Sequence, residues 1–144
     1  MKNLQPLTLL VALTLPGCMV LGSTAAMSSA CSFEQVWDAS IVALADIQLQ
    51  TANKTAGILE TAWVEVEATT RAGAFQRDVN KERLKYVVEI TRDGTGTAAT
   101  VTQLREEFSP MGVRSRQWRA VTPNPSEEAS VVSEISRRLK EKGC

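Results

Sequence analysis

Apolar residues recur at three- and four-residue spacing in two segments near opposite ends of the chain, and this spacing predicts two helices. The first covers residues 33–45, and Ser32 followed three positions later by Gln35 matches a capping box. The second begins at Pro125, which suits the first helical position, with Asn124 as its cap. Acidic residues at its start and basic residues at its end complement the helix dipole.

Between the helices, alternation of apolar and polar residues predicts four or so antiparallel strands. The runs are IQLQTA (47–52), AGILETAWVEVEA (56–68), RLKYVVEITR (83–92), TAATVTQLREEF (97–108) and VRSRQWRAV (113–121). In the third run the inward residues are Leu84, Tyr86, Val88 and Ile90. Because each helix has one apolar stripe and the strands have one apolar face, both helices are expected to pack on that face. The predicted class is therefore α+β, with the other sheet face free.

The amino-terminal segment has the pattern of an export signal. Lys2 is followed by an apolar run, Leu4 to Leu15, which is shorter than the about 20 residues that span a bilayer. Leu15-Pro16-Gly17-Cys18 resembles the bacterial lipobox. This resemblance implies that residues 1–17 are a lipoprotein signal peptide and that the Cys18 sulfur carries the lipid. Cys31 is the competing lipidation site, although Ser28 rather than an aliphatic residue precedes it by three.

The remaining chain has the size of one domain. Small residues dominate the stretch after Cys18, so residues 18–31 are predicted to be a lipidated tether and residues 32–144 a single α+β domain. Cys31 and Cys144 either form a disulfide, as suits an exported protein, or remain as two free thiols.

Charge and composition narrow the classes of function. Lysine plus arginine equals aspartate plus glutamate, at 16 each, which argues against a nucleic-acid partner because phosphate binding relies on concentrated positive charge. The chain has no histidine, which excludes the common histidine-dependent nucleophilic mechanisms and removes the commonest metal ligand. Glu106 and Glu107 are adjacent in a strand and so face opposite ways. We therefore expect neither an enzyme nor a cofactor or metal site.

Two outward-facing groups of residues are candidates for a contact surface. Arg114, Arg116 and Trp118 alternate on one face of the last predicted strand, and Trp63 lies on the outer face of the second. The alternative for the arginine-rich strand is an edge strand whose charges deter aggregation. If both tryptophans lie on the uncovered side of the sheet, they mark a binding surface.

The segments FEQVWDASIVAL and GILETAWVEV, in this order, carry a resemblance to a known family. They are similar to the domains of BamC, a lipoprotein of the bacterial β-barrel assembly machinery, and to smaller single-domain lipoproteins of its type. The resemblance covers most of residues 32–141 in element order. It implies a helix-grip α+β fold and a non-enzymatic accessory role at the outer membrane. BamC has two such domains and a long segment that docks on a partner, whereas this chain has room for one domain.

The leading functional hypothesis is a lipid-anchored periplasmic module that contacts an envelope protein. Met19, rather than aspartate, follows Cys18, and by resemblance to enterobacterial sorting rules this favours the periplasmic face of the outer membrane. The membrane and an envelope protein are thus the expected partners. The alternative is a periplasmic binding or sensor protein that holds a small apolar ligand between sheet and helices. The sequence leaves the partner and the oligomeric state open.

Overall fold

The computed structural model describes residues 24–68, 81–108 and 117–144. Within these ranges the chain forms an α+β fold of one antiparallel sheet and two helices. The elements in chain order are β1 (Thr24–Ser29), α1 (Phe33–Ala43), β2 (Leu49–Asn53), β3 (Ile58–Thr61), β4 (Val64–Val66), β5 (Lys81–Asp93), β6 (Gly96–Phe108), β7 (Trp118–Ala120) and α2 (Pro125–Glu141).

The sheet has seven strands in the described ranges, more than the four or so that the alternation predicts. The order is β1-β6-β5-β3-β2, with β4 paired to β5 and β7 paired to β6. The centre is the long hairpin of β5 and β6, whose register runs from Lys81 opposite Phe108 to Asp93 opposite Gly96. Shorter strands flank it on both sides. β1 and β7 therefore share the same side of β6, end to end.

The first additional strand corrects the predicted tether. Residues 24–29 were expected to belong to the tether of residues 18–31, but they form β1 and pair antiparallel with β6 from Thr24 opposite Thr102 to Ser29 opposite Thr97. A segment of small residues has little intrinsic strand signal, and here the pairing partner decides its conformation. The folded domain consequently begins at least eight residues before the predicted boundary at residue 32.

The second correction concerns the single strand predicted over residues 56–68, which is two strands. From Glu60 to Val64 the chain advances four residues, whereas the facing positions on β5 move only three, from Val87 to Leu84. One extra residue between β3 and β4 is a β-bulge, which reverses the facing of every later side chain. Strict alternation from buried Leu59 would have turned Trp63 toward the core.

Both helices pack on the same face of the sheet, as predicted. The Ser32–Gln35 capping box starts α1, and the Asn124 side chain accepts a hydrogen bond from the Ser126 amide at the start of α2. The core lies between the helices and the four predicted inward side chains of β5, all of which are buried. Its other buried apolar members include Val36, Trp37, Leu59, Ala99, Val101, Ile135 and Leu139.

In the part of the chain that the structure describes, neither helix is both long and apolar enough to cross a membrane.

Candidate functional site

The sheet face opposite the helices, which we call the outer face, has no helix packed over it within the described ranges. Along β5 it carries Lys81, Arg83 and Lys85, which alternate with buried residues that point to the core. Acidic residues on the neighbouring strands pair with all three: Glu65 with Lys81, Glu106 with Arg83 and Glu60 with Lys85. Each basic side chain of this row is therefore paired with a carboxylate from a neighbouring part of the sheet.

Arg83 lies between two tryptophans on this face. Its guanidinium carbon is 4.5 Å from the Trp63 ring centroid and 4.2 Å from the Trp118 ring centroid. Its Nε and Nη2 donate to the same carboxylate oxygen of Glu106 at 2.8 and 2.6 Å. Phe108 extends the cluster, since its ring centroid is 5.4 Å from that of Trp118. These four side chains, Trp63, Arg83, Phe108 and Trp118, form what we call the indole–arginine cluster.

Strands β5, β6 and β7 and the bulge between β3 and β4 assemble this cluster. The bulge after β3 turns Trp63 outward, the alternation of β5 presents Arg83, and β7 places Trp118 directly opposite Phe108 of β6. All four side chains are partly buried. Stacking and the Glu106 ion pair hold the two indoles and the guanidinium in one arrangement, and their partly exposed surface suits contact with a partner.

The structure brings together two of the four predicted contact residues, Trp63 and Trp118. Arg114 and Arg116 lie outside the described residues. The arginine that joins the tryptophans is Arg83, which sequence reasoning placed on the outer face but did not assign to the contact surface. Arg83 lies opposite Glu106 in the hairpin register, and from this position its guanidinium contacts both indole rings.

A groove of about 440 Å³ runs beside the cluster at the edge of β6, and we call it the sheet-edge groove. Trp63 and Lys85 line one side and the segment from Ala120 to Pro123 lines the other. Leu104 lies between them and is 42% exposed. The lining is mostly apolar. The groove lies at the sheet edge, not between the sheet and the helices.

On the inner face, the same end of the sheet holds a buried polar network that the sequence reading missed. Arg105 is 7% exposed and its Nε donates to Glu82, which is 1% exposed, at 2.7 Å. Its Nη1 reaches Glu127 at 3.3 Å. The side-chain amide nitrogen of Gln103 also donates to Glu127. The alternation of β5 and β6 places polar residues at inward positions here, which was the signal for such a network.

This network closes a gap in the sheet between β1 and β7. The Gln103 backbone N–H donates to Glu128 Oε1 at 2.8 Å, and the Gln103 side-chain oxygen accepts from the Asn124 N–H at 2.7 Å. The Val121 N–H donates to the Arg105 carbonyl at 3.0 Å. Glu128 of α2 and the Val121 backbone thus satisfy the hydrogen-bonding groups of β6 that lie between its pairings with β1 and β7. A buried strand edge requires such partners.

The network shifts the pKa values of two members. Burial disfavours the charged Arg105 guanidinium, but the hydrogen bond and the charge of Glu82, with Glu127, outweigh burial and raise its pKa. Burial also raises the pKa of the Tyr86 hydroxyl, against the lowering effect of the hydrogen bond from Gln103. Both groups therefore keep their usual protonation states at neutral pH. The hydrogen bonds of the network to Glu127 and Glu128 hold α2 on the sheet.

The predicted disulfide is present. Cys31 is buried and joined by a disulfide to Cys144, with the two Cα atoms 5.8 Å apart. The bond fixes the end of α2 to the segment between β1 and α1. Cys18 lies outside the described residues. No group of three or more acidic or cysteine side chains within the described ranges is arranged to hold a metal ion.

The fold and this site define an α+β domain with helices on one face and a small aromatic and charged surface on the other. No protein-family model matches the chain, and no curated protein matches it significantly.

Proposed function

We propose that the protein is a lipid-anchored accessory module of the bacterial outer membrane, which contacts an envelope protein through the outer face of its sheet. The observation that carries this proposal is the indole–arginine cluster on a face that the helices leave free. Tryptophan and arginine are the side chains that most often dominate binding at protein interfaces. The module needs no chemistry of its own and acts by holding its partner near the membrane.

The disulfide supports lipidation of Cys18 rather than Cys31. A lipidated cysteine becomes the first residue of the mature chain, so lipidation of Cys31 would remove β1. It would also occupy the sulfur that Cys144 binds. Lipidation of Cys18 conflicts with neither β1 nor the disulfide.

A lipid on Cys18 would hold the domain close to the bilayer. Five residues separate Cys18 from Thr24, the first residue of β1. Six residue steps of extended chain reach about 20 Å at most. Such a short connection raises the local concentration of any membrane-bound partner, so that a modest surface suffices for binding.

We also assign the fold to the helix-grip type. α2 has 17 residues and lies across the sheet, where its Ile135 and Leu139 are buried against the core. Its first turn is fixed to β6 and its end is fixed by the disulfide. This arrangement supports the helix-grip assignment, which is the fold that the BamC resemblance implies.

Site-specific photo-crosslinking in cells tests the contact face. Glu65 on β4 and Glu34 on α1 form a matched pair, because their side chains are 66% and 65% exposed and each pairs with one lysine. We expect a photoreactive residue at position 65 to give a discrete adduct with an envelope protein and one at position 34 to give none. The Trp63→Ala substitution should lower the yield at position 65 at least about tenfold, because central indoles dominate such interfaces.

Equal adducts at positions 65 and 34, or a yield at position 65 that Trp63→Ala leaves unchanged, would contradict the proposed contact face. Circular dichroism of the Trp63→Ala protein is the control for folding, since Trp63 is only partly buried.

A further inference from the structure

The sheet-edge groove has the features of a site for a flexible apolar chain. Its floor is Leu104, which is 42% exposed, and Trp63 and Val121 stand on its two sides. Its volume of about 440 Å³ lies within the range of roughly 300–1,000 Å³ that is usual for small-molecule sites. An apolar occupant would remove this exposed leucine surface from water, which is favourable in free energy.

The chain enters the sheet directly beside this groove. Thr24, the first residue of β1, pairs with Thr102, which lines the groove. Beyond Thr102, the edge of β6 is already occupied by α2 and by the segment after β7, because Glu128 and Val121 bond to it. Cys18 is six residues before Thr24, and six steps of extended chain reach at most about 20 Å from Thr24.

We propose that the sheet-edge groove binds one acyl chain of the lipid that Cys18 of the same molecule carries. This inference rests on the proposed lipidation of Cys18. The tether makes binding intramolecular, so the acyl chain is present at an effective concentration that free lipids do not reach. Occupation by this chain removes the exposed Leu104 side chain from water.

An intramolecular crosslink tests this assignment directly. In the full chain expressed in cells, a photoreactive residue replaces Leu104, and a second version carries it at Val42 on α1, which is 41% exposed and lies on the opposite side of the sheet. After irradiation and proteolysis, we expect mass spectrometry to find the peptide of position 104 joined to the acylated Cys18 peptide. Position 42 should give no such product.

Three results would overturn the proposal: a crosslink from position 104 only to free phospholipid, one only to another protein, or no crosslink at all. The uncrosslinked fraction of the same digest shows separately whether Cys18 is acylated. An unmodified Cys18 peptide would therefore indicate failure of the proposed anchor rather than of the groove alone.

Quenching of tryptophan fluorescence by a brominated fatty acid tests the groove without the anchor. The mature chain from residue 18 with Cys18→Ser keeps every described element and leaves the groove open. We expect saturable quenching that Leu104→Glu weakens at least about tenfold, because the new carboxylate would be buried against the acyl chain. Val42→Glu should change the affinity by less than about twofold. Absence of quenching, or equal effects of the two substitutions, would contradict acyl binding.

Discussion

Replacement of Arg105 by methionine is expected to lower the free energy of unfolding by about 3–5 kcal/mol. The substitution keeps most of the apolar stem but leaves the Glu82 carboxylate, which is 1% exposed, without the guanidinium that bonds to it. Loss of a charge-assisted hydrogen bond to a carboxylate this deeply buried costs far more than the intact pair contributes. Urea denaturation followed by circular dichroism measures the change.

Two controls separate this effect from general damage to the sheet. The double variant Glu82→Gln, Arg105→Met removes both charges of the pair and should recover part of the loss, because the buried carboxylate charge that Arg105 balances is removed with it. Arg137→Met removes an exposed arginine of α2 that also pairs with two glutamates, and it should change stability little. If Arg105→Met unfolds at the same urea concentration as the parent, the buried Glu82–Arg105 pair does not stabilise the fold as argued.

Removal of the disulfide is expected to have the second large effect. The double variant Cys31→Ser, Cys144→Ser should lose about 2–5 kcal/mol of unfolding free energy, because the bond closes a long loop in the unfolded chain. The two cysteines are 113 residues apart in sequence, so the loop includes all but β1 of the described fold. The midpoint of urea denaturation is the quantity to compare.

Reduction of the parent protein with dithiothreitol should give the same midpoint as the double variant. Titration of the folded parent protein with a thiol reagent should detect neither Cys31 nor Cys144. If both thiols react in the folded, unreduced protein, the disulfide is absent and the argument that favours Cys18 over Cys31 loses its main support.

Local sequence signals predict the elements whose conformation is determined by capping residues or by alternation within the element. The capping box of α1, the Asn124–Pro125 start of α2 and the strict alternation of β5 all describe the structure correctly. In each of these elements, the residues that determine the conformation are close in sequence. The fold class and the packing of both helices on one face follow from them.

Local sequence patterns do not predict features that depend on pairing with a distant strand. β1 exists because Thr24–Ser29 meets β6, a partner about 70 residues away, and its small side chains give little warning. The bulge that divides the 56–68 run into β3 and β4 depends on the register with β5, which the local alternation does not show.

The contact surface shows the same division. Alternation identified Trp63 and Trp118 as outward residues of separate strands, but only the sheet order brings both rings against Arg83. The buried network could have been suspected, since Glu82 and Arg105 occupy inward positions that an apolar core would fill with hydrophobic residues. The role of Glu128 in closing the β6 edge required the docked position of α2.

The intact mass of the mature protein extracted from membranes shows whether the domain is anchored by a lipid. We expect a chain that begins at Cys18 and carries a diacylglyceryl group on the sulfur and an acyl group on the amino terminus. A soluble protein without fatty acyl groups, or one whose first residue is not Cys18, would contradict it.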